Sequence, residues 1–97
     1  MTLQSTATVP TPNASRYLQQ LAKHFGHKVP ATFDAAAGEI AFPFGLCHLA
    51  AEEGALRLTV DAGDEAALTR LREVIASHLI RFAFREDLAV DWQPARG

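Results

Sequence analysis

Cys47 is the single cysteine among 97 residues, so an intrachain disulfide is excluded, and with it every paired-cysteine zinc motif. A lone thiol fits a reducing compartment. Charge of one sign is also missing. Nine basic and eleven acidic residues are interspersed and give a formal charge of -2, where a nucleic-acid or anionic-membrane partner needs a strong basic excess. No apolar run approaches membrane-spanning length, and Met1 to Ser5 carries neither the basic flank nor the apolar stretch of a secretory signal. The expected location is the cytoplasm, with no nucleic-acid and no membrane partner. A glycine-rich phosphate loop is absent as well.

What is present is 48% apolar content in a chain of single-domain length, enough for one core spanning about residues 4–93 with a frayed tail from Pro94. Weak alternation over Gln4–Val9 predicts a short strand. Thr11 followed by Pro12 marks a helix start, since a threonine hydroxyl can cap free N–H groups and proline is tolerated at the first helical position. Tyr17, Leu18, Leu21, Ala22 and Phe25 recur at helical spacing and predict a buried stripe. Gly26 is expected to end that helix in the left-handed conformation.

From Val29 the apolar period becomes two, pauses over Asp34–Gly38 and resumes at Ile40, Phe42 and Phe44, which predicts a hairpin. Pro43 and Gly45 interrupt the alternation and shift the inward phase to Cys47, Leu49 and Ala51, as a bend or bulge does. Leu56, Leu58 and Val60 line a further half-exposed strand. Asp64 and Glu65 open a second helix to about Phe82, striped by Leu68, Leu71, Val74, Ile75, Leu79 and Phe82. Alternation of Leu88, Val90 and Trp92 predicts a closing strand. The fold class is therefore α+β, a two-layer sandwich with two helices on one face of a mainly antiparallel sheet of about five strands.

Four histidines supply the candidate chemistry. His78 falls inside the apolar stripe of the second helix, either as a neutral core histidine or as a ligand. His24 lies at the margin of the first stripe, where a cation also complements the helix end. His24 and His27 form an H-x-x-H pair, and a metal such as zinc or iron would have to recruit Cys47 and His78 from other elements. Cys47 and His48 are adjacent on a strand and point to opposite faces, so they cannot serve each other as nucleophile and base. Arg81 and Arg85 are spaced i, i+4 and would share a helical face able to hold an anion, unless Glu86, Asp87 or Asp91 pairs with them. Phe25, Phe33, Phe42, Phe44, Phe82, Phe84 and Trp92 phase mostly with the core. The ligand-binding set is thus His24, His78, Arg81, Arg85 and Tyr17, with direct pairing expected between His24 and His78 or of either with Tyr17. The metal set is His24, His27, Cys47 and His78.

Ser15-Arg16-Tyr17-Leu18, Lys23-His24-Phe25 with His27-Lys28, Ile40-Ala41-Phe42-Pro43-Phe44-Gly45, Cys47, and His78-Leu79 with Arg81-Phe82-Ala83-Phe84-Arg85-Glu86 resemble the bacterial domain of unknown function 2218 family over almost the whole chain. The resemblance implies a bacterial, cytoplasmic single domain without an established activity. Similar domains occur alone and joined to flavin-binding siderophore-interacting proteins, which handle ferric chelates. Two readings follow. One is a non-enzymatic accessory or binding domain linked to iron or siderophore handling, whose partner is a small ligand or a flavin-dependent siderophore-interacting protein. The other is a metal-binding or small hydrolytic protein built on the histidine and cysteine cluster. Self-association through an edge strand, as a homodimer, is a third arrangement the pattern allows.

Overall fold

The computed structural model describes residues 2–94. Its elements run β1 (Leu3–Pro10), α1 (Ala14–Phe25), β2 (Ala31–Phe33), β3 (Ala37–Phe42), β4 (Gly45–Glu52), β5 (Ala55–Ala62), α2 (Glu65–Phe82) and β6 (Gln93–Pro94). The strands form one sheet in the order β2-β3-β4-β5-β1-β6, and every neighbouring pair is antiparallel. Both helices cover one face of it, as the α+β reading requires.

Register explains why a single face is apolar. Ser5, Val60, Cys47, Ile40 and Ala31 form one cross-strand row, and Ala7, Leu58 and Leu49 form the next. All but Ala31 are buried. The alternate residues make an open face, where Thr32, Glu39, His48, Thr59, Thr6 and Gln93 run in one row across all six strands. A one-residue slip of any central strand would exchange the two sets, so burial of one face fixes the register.

Turn chemistry departs from expectation at two places, around Pro43 and at Gly26. Phe42 pairs with Gly45, so Pro43 and Phe44 form a tight two-residue turn between separate strands, and the phase shift needs no bulge. The Asp34 carboxylate accepts the N–H groups of Ala36 and Ala37 and closes the β2–β3 hairpin. Gly26 keeps right-handed dihedrals, with φ -61° and ψ -15°, and a Cβ there would sit in a tight contact 3.0 Å from the Ala22 carbonyl oxygen. The left-handed glycine is Gly54, φ 74°, in the turn between β4 and β5.

The helix ends also shift. Asn13, not Thr11, occupies the cap position of α1, and the Thr11 hydroxyl accepts the Asn13 N–H at 3.1 Å. Asp64 caps α2 by accepting the Ala67 N–H at 2.8 Å. After α2, the alternating Leu88, Val90 and Trp92 pack on the core, but only Gln93 and Pro94 enter the sheet. Val90 and Trp92 lie beside Thr69, Arg72 and Ala76 of α2, so alternation here marks packing on a helix, without ladder hydrogen bonds. Pro94, expected to fray, pairs with Ser5; the rest of the predicted tail lies outside the described residues. Among the described residues, no helix is long and apolar enough to cross a membrane.

At Gly45 an added Cβ would collide with the Asp61 carbonyl oxygen and with Leu71 Cδ1 of α2, whereas at Gly63 it would meet nothing within 4 Å. Gly45→Ala should therefore destabilise by about 1–3 kcal/mol through overpacking. In a chain of this size that is a fall in melting temperature of roughly 5–20 °C. Gly63→Ala should melt within a few degrees of the parent, and thermal denaturation followed by circular dichroism compares the two.

Candidate functional site

Both helices lie side by side on the sheet, and the seam between them is the site. Along α1, Asn13, Tyr17, Gln20 and His24 follow one another at helical spacing. His78 and Phe82 of α2 and the turn residues Phe84, Arg85 and Glu86 face them. A cleft of about 380 Å³ opens at the upper end, lined by Asn13, Arg16, Tyr17 and Gln20 on one side and Phe82, Phe84, Arg85 and Glu86 on the other.

Glu86 organises this end. Its carboxylate accepts from the Thr11 hydroxyl at 2.7 Å, from the Asn13 amide at 2.9 Å and from the Tyr17 hydroxyl. Three donors stabilise the ionised form, so the Glu86 carboxyl is held below the usual carboxylate range, with the Tyr17 bond as the largest cause. The same bond, then burial, then the Glu86 charge raise the Tyr17 phenol. Tyr17 therefore stays protonated and donating at neutral pH, and its expected pairing with a histidine is replaced by pairing with Glu86.

Arg85 does not share a helical face with Arg81, because α2 ends at Phe82 and the chain turns through an Ala83 carbonyl bonded to the Glu86 N–H. Arg85 lies 5.5 Å from the Phe84 ring centre and lines the cleft, whereas Arg81 acts electrostatically on His24. The ordinary carboxylate pairing does not occur. Among the described residues the ion pairs are His48 with Glu39 and Asp61, Arg57 with Glu52, and Arg72 with Glu65, and they leave Arg16, Arg81 and Arg85 without an acidic partner. Phe84 is 76% exposed at the lip of the cleft and Phe33 42% exposed on the edge strand, so these two rings leave the expected core set.

At the lower end His24 and His78 do meet, ring to ring, with centroids 5.2 Å apart. Phe25 touches both rings, at 4.9 and 4.8 Å, and Phe82 closes the group at 5.3 Å from His24. His78 is only partly buried, and its Nδ1 lies 2.7 Å from the Val74 carbonyl oxygen, one turn back. Since a carbonyl oxygen only accepts, Nδ1 donates its proton in that bond. His24 is exposed as a residue, yet burial of its ring and then the electrostatic influence of His78, Lys28, His27 and Arg81 lower its proton affinity.

The four expected metal ligands are not brought together. Cys47 is buried between Ile40 and Val60, where desolvation pushes its thiol up to about 12; it is a small core residue, not a thiolate nucleophile or ligand. His27 is exposed in the turn after α1. Among the described residues, no three His, Cys, Asp or Glu side chains are placed to hold one ion. Asn13, Arg16, Gln20 and Glu86 escaped the sequence reading as site residues, since contacts separated by 69 to 75 positions leave no local spacing signal. His48 is a separate cluster on the open face. Its Nδ1 is 3.4 Å from Glu39 and its Nε2 3.9 Å from Asp61, and Asp61 in turn accepts from Gln4 at 2.6 Å.

A carboxylate with a depressed folded-state pKa contributes stability that is present at neutral pH and lost as pH falls through that pKa. Glu86→Gln should therefore melt below the parent at pH 7, and the gap should close as the pH falls below the usual carboxylate range. Melting curves of both proteins between pH 7 and pH 3 check this.

Among curated proteins, none matches this chain. Among solved structures it is similar to one described as the NMR structure of PA4090 from Pseudomonas aeruginosa, at 36% identity and a TM-score of 0.82, covering 98% of this chain and 99% of that one. The quoted sequence blocks that meet in the seam, Tyr17 and His24 from α1 and His78 to Glu86 from α2 and its turn, lie within residues 6–93, which match the model of a family described as an uncharacterized protein conserved in bacteria. The chain belongs to that family, DUF2218.

Proposed function

We propose that this domain is a non-catalytic binding module, and that its ligand is a small organic anion held in the cleft between α1 and the turn after α2. One observation carries the reading: Arg16 and Arg85 line the cleft without an acidic partner among the described residues, and the single carboxylate there, Glu86, is already engaged by three donors. Two positive charges against one negative leave the cleft attractive to anions, and guanidinium groups suit carboxylate or phenolate oxygens through paired N–H donors. Phe82 and the exposed Phe84 supply flat apolar walls for the ligand body. The link between similar domains and flavin-binding siderophore-interacting proteins makes a ferric chelate of net negative charge the first ligand to try. In that reading the domain works beside such a flavoprotein. The unreactive position of Cys47 supports binding over thiol chemistry.

The test is thermal melting against a ferric tris-catecholate, its iron-free form and an uncharged chelate of similar size. Ligand at a hundred times its dissociation constant stabilises by about 2.7 kcal/mol, which is roughly 10–20 °C in a domain of this size. The anionic chelate should give that shift, and Arg16→Ala and Arg85→Ala should each remove most of it. A shift equal for charged and uncharged chelates, or unchanged in both variants, rejects the reading. No shift with the ferric tris-catecholate rejects the siderophore class.

A further inference from the structure

Charge is distributed unevenly over this molecule. No Asp or Glu occurs among residues 1–33 or among residues 74–85, so the two stretches that build the seam, α1 and the last turns of α2, bring positive charge to it and no negative. Arg16 and Gln20 line the cleft, and Lys23 continues their row along the outer rim of α1 at helical spacing. On the opposite rim Arg81 follows His78 by one turn. Lys28 and Arg81 both act electrostatically on His24, which lies between the rims. Lys23, Lys28 and Arg81 are exposed, and among the described residues none of the three has an acidic partner. Nothing in the anion-binding reading uses them.

The floor between these rims is aromatic. The His24 ring lies 5.2 Å from His78 and 5.3 Å from Phe82, centre to centre, and His78 lies 6.4 Å from Phe82. This floor is open to a ligand, since His24 is exposed and His78 and Phe82 are half-buried. Rings of this kind accept a flat or branched apolar side chain. The rims suit carboxylates, with Arg81 offering a fork of N–H donors and the lysines offering point charges.

We infer that the lower half of the seam, between Lys23 and Lys28 on one side and Arg81 on the other, docks a short acidic segment of a partner protein that carries an apolar side chain for the ring floor. Charge complementarity selects the occupant, as clustered cations do for acidic motifs elsewhere. Dimensions limit its length. The 12 residues of α1 span about 18 Å at about 1.5 Å per residue, which an extended chain at about 3.3 Å per residue crosses in roughly six residues. Net charge argues against a larger polyanion. The formal charge is -2 in spite of this strip, so the remaining surface is negative. A nucleic acid or an anionic bilayer extends well past the Debye length of about 8 Å and would face that surface too, whereas a short segment stays within the strip.

Fluorescence anisotropy with the whole protein tests the assignment. The probes are labelled hexapeptides in which glutamates surround a Phe, Leu or Trp placed at each position in turn, each compared with the same peptide carrying Gln for Glu. At least one glutamate probe should bind more than about tenfold more tightly than its glutamine form, weaken as salt rises, and weaken again when its apolar residue becomes Ser. Lys23→Glu and Arg81→Glu should each weaken that probe by more than about tenfold, because a like charge on the rim repels it. Lys23→Gln and Arg81→Gln should fall between, and they decide the matter where a reversal lowers the melting temperature. Arg16→Ala and Arg85→Ala should leave probe affinity within about threefold while removing the chelate shift, so the two halves of the seam succeed or fail independently. Four results would overturn the proposal: no glutamate probe preferred over its glutamine form; affinity unchanged at Lys23 and Arg81; a loss as large in the Arg16 or Arg85 variant, which places the probe in the cleft; or phosphatidylserine vesicles or a single-stranded oligonucleotide bound more tightly than any peptide, which assigns the strip to a membrane or to nucleic acid.

Discussion

Two amphipathic helices share one apolar sheet face, and nearly everything else in this fold follows from that constraint. Neither helix can bury its stripe alone, and the sheet offers a single inward set, the rows through Val60 and Leu58. Side by side on that surface, the helices must also meet each other. Their facing margins are where polar and aromatic groups collect, from the buried Tyr17 through the half-buried His78 and Phe82 to the exposed His24. Tyr17 and His24 occupy that margin on α1, and His78 and Phe82 occupy it on α2.

Glu86 converts proximity into geometry. The chain leaves α2 without a left-handed cap, since Ala83 has φ -96° and ψ 38°, and this turn lacks the backbone lock that a glycine motif would give. The Glu86 carboxylate supplies the lock from outside, reaching Thr11, Asn13 and Tyr17 at the start of α1. It thereby joins two segments far apart in sequence and aims Arg85 and Phe84 along the rim. Across the same seam Phe82 touches His24 and lines the cleft, so one aromatic ring is a wall for both halves.

Local order was legible in the sequence where one periodicity dominated. Both helices, the hairpin around Asp34 and the half-exposed β5 follow from spacing and from turn residues. Phase failed where two causes give one pattern. The shift after Phe42 reads as a bulge or as a two-residue turn, and only pairing of Phe42 with Gly45 separates them. Alternation in Leu88, Val90 and Trp92 reads as a strand, but packing on a helix selects the same residues. The site was half legible. Tyr17, His24, His78 and Arg85 stood out as residue types near helix ends, whereas their partners depended on contacts that no local window contains. Cys47 was misplaced in the metal set because residue type alone says nothing of depth.

The ends of the sheet bear on how the domain behaves in company. Within the described residues β2 offers three residues and β6 two, and β6 pairs with β1 only at Ser5 and Thr6. Short outer strands of this kind limit the growth of a sheet from one molecule into another.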